Sequence, residues 1–229
     1  MLAEVGHPWV HSAVERLDVR RRDRLLAVDA DEREAAALRA LVGEQGELTL
    51  VLRDHAAAER LAERDWRQVR ILAHAVDGGE TFGAFDSLLV APPTGPLLDA
   101  AGHARLARRN LRPGGRFVVD LPAPDMVPDL RAAWLELGWD EERLGPLSGP
   151  SDLELAEALR EAGLRNVRAA LGSHLLHLPA AADLVDALTA ALELGDEERD
   201  DLTHAVVRKR KDAGPLDVLV HRTQVAGQR

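Results

Sequence analysis

Apolar residues fall in short blocks along this chain, and each early block is followed by a longer stretch in which leucine and alanine recur at helical spacing. Residues 24–28 form the first block, suited to a strand buried on both faces. Residues 32–42 have helical character and close at Gly43. Residues 48–52 and then 56–63 repeat the unit, 69–75 and 85–90 add two apolar runs, and 97–111 reads as a helix stopped by Arg112-Pro-Gly-Gly115. Another strand is expected at 116–121. Short apolar strands alternating with amphipathic helices imply right-handed crossovers and a parallel sheet covered on both faces.

The later part changes character. Residues 123–150 are rich in proline and glycine around a short helix at 130–137, and are expected to lie over the strand ends. Ser151-Asp-Leu-Glu154 has the form of a capping box and opens a helix ending at Gly163. A strand is expected at 167–170, helices at 180–194 and 197–210, and a last antiparallel edge strand at 216–225, after Gly214-Pro215. The pattern predicts an α/β, Rossmann-like, doubly wound sheet of seven strands, mostly parallel with an antiparallel last strand. A single domain over 1–229 is expected, with a helical lead-in at 1–22.

Composition narrows the function classes. The 229 residues include 46% hydrophobic residues, enough for a full core, and no run approaches the roughly 18 apolar residues of a membrane span. The first residues, with Glu4, Pro8 and His11, lack the basic-then-apolar order of a signal peptide, so a cytoplasmic location is expected. With no cysteine, disulfides, thiolate nucleophiles and Cys-ligated zinc are excluded. A net charge of −10 argues against nucleic-acid binding. The one dense basic run of the first half, Arg20 to Arg24, is diluted by Asp18 and Asp23 and reads as a solvated connector.

Phe85-Asp-Ser-Leu-Leu-Val90, a helix, and Leu111-Arg-Pro-Gly-Gly-Arg-Phe-Val-Val119 resemble the fourth strand, fourth helix and fifth strand of class I S-adenosylmethionine (SAM) dependent methyltransferases. His7-Pro-Trp-Val with Asp23-Arg-Leu-Leu resembles the lead into that family's SAM loop. Leu178-Pro-Ala-Ala-Ala-Asp-Leu-Val and Pro215-Leu-Asp-Val-Leu-Val-His-Arg-Thr resemble the C-terminal part of its small-molecule branch. The likeness runs over nearly the whole chain.

What the resemblance implies for the cofactor is a conflict. In the family the first strand ends in an acid and then a Gly-x-Gly-x-Gly loop that lets backbone amides approach the methionyl part of SAM. Here Ala27 stands at the acid, and Asp29, Asp31 and Arg33 stand at the glycines. A Cβ blocks close approach, and positive φ costs an ordinary residue roughly 1–2 kcal/mol. Each Asp also faces the SAM carboxylate, a repulsion at about 4 Å of roughly 1 kcal/mol in water and roughly 4 at an effective dielectric near 20. Asp31-Glu-Arg-Glu34 also fits a capping box, which would occupy the helix N-terminus with the protein's own carboxylates.

The family's ribose-binding acid falls on Leu52, while Asp54 falls where a helix cap is usual; a one-turn shift would make Asp54 the ligand. The adenine-contacting acid falls on His74, which also suits a structural polar group. Ala91-Pro-Pro-Thr-Gly-Pro96 stiffens the segment after the fourth strand and lacks the aromatic or histidine pair frequent there. The cleft candidates are therefore Asp29, Asp31, Asp54, His74 and Pro92, with no catalytic residue and no metal ligand assigned. His174-Leu-Leu-His177 lacks the helical spacing of a zinc site.

Scaffold motifs kept while cofactor positions change point to a pseudo-methyltransferase: a binding or regulatory subunit without SAM, partnered by a second copy or an active relative. Helices 180–194 and 197–210 offer candidate contact faces, although core packing is the commoner explanation of such faces. The alternatives are an active SAM-dependent small-molecule methyltransferase with an atypical loop, and a binder of a different ligand or cation in the same cleft.

Overall fold

A computed structural model describes residues 8–92, 98–210 and 215–229. Expectations placed on His7, on residues 93–97 and on Gly214 lie outside the described residues.

The chain begins with α1 (Pro8–Leu17), then alternates β1 (Arg24–Val28), α2 (Glu32–Val42), β2 (Glu47–Leu52), α3 (His55–Ala62), β3 (Val69–Ala73), β4 (Phe85–Val90), α4 (Ala100–Asn110) and β5 (Leu111–Pro122). There follow α5 (Pro128–Glu136), a 3₁₀ helix (Glu141–Leu147), α6 (Asp152–Glu161), β6 (Arg165–Leu178), α7 (Ala181–Leu192), α8 (Asp196–Arg210) and β7 (Leu216–Gln228). The seven strands form one sheet in the order β3-β2-β1-β4-β5-β7-β6. β1 to β5 pair in parallel and β7 runs antiparallel to both of its neighbours.

The period-two alternation of a strand divides β1 between two cores. Leu25 and Ala27 pack with α1, α2 and α3 through Leu17, Leu38 and Leu61. Leu26 and Val28 pack on the other face with Leu106 of α4 and Leu155 and Leu159 of α6. A third cluster joins α5, α7 and α8 to β6 and β7 through Trp134, Leu188, Leu202 and Val218. Both candidate contact helices thus spend their apolar sides internally: Leu184, Val185 and Leu188 of α7, and Leu202, Ala205 and Val206 of α8, are buried in this cluster. Gly43 closes α2 at φ +68°, a conformation that suits a residue without Cβ.

Two boundaries depart from the sequence reading. β7 is not an edge: it is inserted between β5 and β6, and β6 takes the edge. The cause is chemical as well as hydrophobic, because the polar side chains Arg222 and Gln224 of β7 bond to Asp120 of β5 inside the sheet. β6 is also far longer than the strand expected at 167–170, running through His174 and His177 to Leu178. Gly172, Ser173 and the two histidines disguise it as a loop, while its backbone is paired to β7 from Arg168 to Leu178. Among the described residues no helix is long and apolar enough to cross a membrane.

Candidate functional site

Strand order reverses between β1 and β4, and in open α/β sheets the crevice beyond the carboxyl ends of such strands is where ligands settle. At that place β1 gives way to Asp29, Ala30 and Asp31 before α2 begins. Asp29 has φ +53°, the left-handed conformation that aspartate enters more readily than most residues. Its N–H donates to the Val51 carbonyl (2.8 Å). Its carboxylate, 8% exposed, accepts the Arg53 backbone N–H (2.9 Å) on one oxygen and the Arg53 Nε–H on the other. The end of β1 is therefore clamped to the end of β2 through a side chain.

Asp31 caps α2. Its carboxylate accepts the Glu34 N–H (2.8 Å), and the Glu34 carboxyl accepts the Asp31 N–H (2.8 Å), the reciprocal pair expected from the sequence. Glu34 is only 3% exposed, and burial first, then the neighbouring Asp31 charge, push its carboxyl up to about 8. At neutral pH it holds a proton. Asp54 caps α3 by accepting the Ala56 N–H (2.9 Å). Two adjacent helices thus begin on aspartates, with a cavity of about 620 Å³ between them lined by Asp29, Asp31, Asp54, Leu52, Arg53 and Arg60, among others.

Of the five candidates, Asp29, Asp31 and Asp54 line this cavity and His74 and Pro92 do not. His74 follows β3 and is exposed. Its N–H donates to the Leu52 carbonyl (2.9 Å), its ring meets Phe82 edge-on (5.7 Å), and its Nε2 lies 3.4 Å from Glu80. Pro92 is buried, and its carbonyl accepts Arg222 Nη2–H (2.9 Å).

Arg222 belongs to a group that sequence reasoning missed. Its Nε–H donates to Asp120 Oδ1 (2.7 Å) and its Nη2–H also to the Asp120 carbonyl (2.8 Å), while Gln224 Nε2–H donates to Asp120 Oδ2 (2.7 Å). Asp120 and Arg222 are wholly buried. Their field reaches Glu34, Asp120 raising its pKa and Arg222 lowering it. The available signal was an acid inside one apolar run and a base inside another, on strands bound for the same sheet. Arg53 was missed as well, having no pattern to mark it as the partner of Asp29. Among the described residues no group of three or more acidic, histidine or cysteine side chains is placed to hold a metal ion.

No protein-family model matches the chain, and no curated protein matches it by sequence. Solved structures do. The YcgJ protein of Bacillus subtilis superposes with a TM-score of 0.66 at 15% identity, over 98% of this chain and 99% of that one. The mycolic acid cyclopropane synthase CmaA1, solved with S-adenosylhomocysteine (SAH), gives 0.59 at 15% identity over 100% and 86%. A SAM-dependent O-methyltransferase of Thermotoga maritima gives 0.55 at 15% identity; there this chain covers 98% of itself and spans 66% of its counterpart's length. The architecture, with β7 antiparallel between β5 and β6, is that of the class I SAM-dependent methyltransferases.

Proposed function

We propose that this methyltransferase-fold chain works without SAM, as a binding or regulatory subunit that pairs with a second copy or with an active relative. One observation carries the reading: the amino end of α2 and the end of β1 are already occupied by the protein's own acids. Asp31 and Glu34 satisfy each other's backbone amides there. The Asp29 carboxylate, locked onto Arg53, stands where the family resemblance expects a bare glycine. A helix amino end attracts anions because its amides are unpaired, and a capping box removes that attraction for the carboxylate of a methionyl group. The residues present do not fit the amino-acid end of SAM.

Calorimetry and thermal melting with SAM and SAH test this. At about one hundred times its dissociation constant a ligand adds roughly 2.7 kcal/mol, or roughly 5–10 °C in a domain of this size. The expected result is no shift at millimolar cofactor; micromolar binding of either compound overturns the reading. One feature favours the competing reading, an active small-molecule methyltransferase with an atypical loop. The 620 Å³ cavity beside Leu52 and Asp54 remains open at the place where the family resemblance expects the ribose. The same titration decides between them.

A further inference from the structure

The proposed pairing leaves open where and with what. β6 is the edge of the sheet and, among the described residues, pairs with β7 alone. An open edge presents a row of unpaired backbone donors and acceptors, and proteins usually guard one with charges, prolines or bulges. Here the bulge lies at the start of the strand, between Arg165 and Arg168. From Ala169 to Leu178 there is no Asp, Glu, Lys, Arg or proline, in a chain of which these four charged types make up 30%; His177 there contacts Asp217 of β7. Leu171 is 58% exposed, Leu175 49% and Leu219 40%, half of the six large apolar side chains exposed among the described residues. They share one face: Leu171 and Leu175 are four positions apart on β6, and Leu219 pairs directly with Leu175.

We propose that β6 pairs antiparallel with β6 of a second copy, about a twofold axis through Ser173, so that the sheet runs on from one copy into the other. Leu171 and Leu175 lie two positions on either side of Ser173. In this register each therefore faces the other leucine of the second copy. With Leu219 of each copy, six leucines line one face of the junction. On the opposite face Gly172 pairs with His174 of the second copy; within each chain the His174 ring already folds over Gly172, with Nε2 3.0 Å from where a Cβ would stand. The strand is its own complement, a property that an isologous contact requires and a foreign strand does not. Charge points the same way: two copies at −10 each repel, and an uncharged stretch is where they can approach.

This names the partner in the reading above and rests on its pairing half alone, because mass reports association whereas calorimetry reports cofactor. Light scattering on the full chain should give twice 24.9 kDa at micromolar concentration. Leu175→Lys should return it to one copy with an unchanged far-UV spectrum, since the position is half exposed and outside the core. Ser173→Cys supplies a thiol on the axis of a cysteine-free chain. Residues opposed in an antiparallel pair have Cα atoms about 4.5–5.5 Å apart, within disulfide reach. That variant should form a covalent dimer under mild oxidation, and Leu153→Cys on the exposed side of α6 should not. A single-copy mass for the unmodified chain overturns the proposal, as does a dimer that survives Leu175→Lys or cross-links equally through position 153.

Discussion

The carboxyl-terminal parts of β1, β2 and β5 and the outer edge of β6 are opposites in how they treat polar groups. Toward the strand ends the buried and half-buried acids are bonded by the protein's own groups: Asp29 by Arg53, Asp31 and Glu34 by each other's amides, Asp120 by Arg222 and Gln224. At the β6 edge no Asp, Glu, Lys or Arg occurs over ten residues, and a line of backbone groups faces outward. The first region meets its own needs, as a folded core does, and the second, among the described residues, is left unpaired on its outer side. The strand ends keep a cavity of about 620 Å³ whose acids Asp29 and Asp31 are bonded internally, and the unpaired backbone edge lies several strands away.

That contrast is sharpest at Arg222. Breaking a buried ion pair from one side leaves the other charge stranded, so Arg222→Met should cost about 3–5 kcal/mol in urea unfolding. Adding Asp120→Leu should recover most of that loss, because the orphaned carboxylate goes too. If Arg222→Met alone is near neutral, the strand-end region is less closed than the hydrogen bonds imply.

Glu34 gives the next largest effect, and its sign follows from its raised pKa. Below about pH 4.5 both folded and unfolded chains hold the proton, and the contribution is constant. As pH rises toward 8 the unfolded chain releases it and the folded chain does not, so stability falls with pH. Glu34→Gln removes that dependence. The variant should match the parent in acid and exceed it by an amount on the order of 4 kcal/mol near pH 8. A stability difference that does not change with pH would remove the buried proton from the description.

Asp31→Ala should have the smallest effect, about 1 kcal/mol or about 2–4 °C of melting temperature, for loss of a helix cap. It should also flatten the pH dependence due to Glu34, whose proton the Asp31 charge helps to retain. Retention of the full pH slope would show that burial alone sets it.

Local signals make the strand–helix alternation, the Asp31 to Glu34 box, the Asp54 cap and the Ser151 to Glu154 box legible in the sequence. Each depends on residues within a few positions of one another. What was not legible depends on long-range pairing. Asp120 and Arg222 are 102 residues apart, and their contact follows only once β7 is known to lie beside β5. The Asp29–Arg53 clamp joins two strand ends whose register the sequence does not state. β6 was read short because an edge strand exposed on one face lacks the apolar run that marks a buried one.

The bend at Asp29 concerns shape inheritance rather than chemistry. At φ +53° the backbone takes the turn a glycine would take, and aspartate is among the few residues that follow it at modest cost. The path from strand to helix is thus specified by a torsion angle, which more than one residue type can satisfy. Letters can change at such a position while the trace through space stays the same, and a chain of this kind is then recognisable by its curve when its spelling no longer matches.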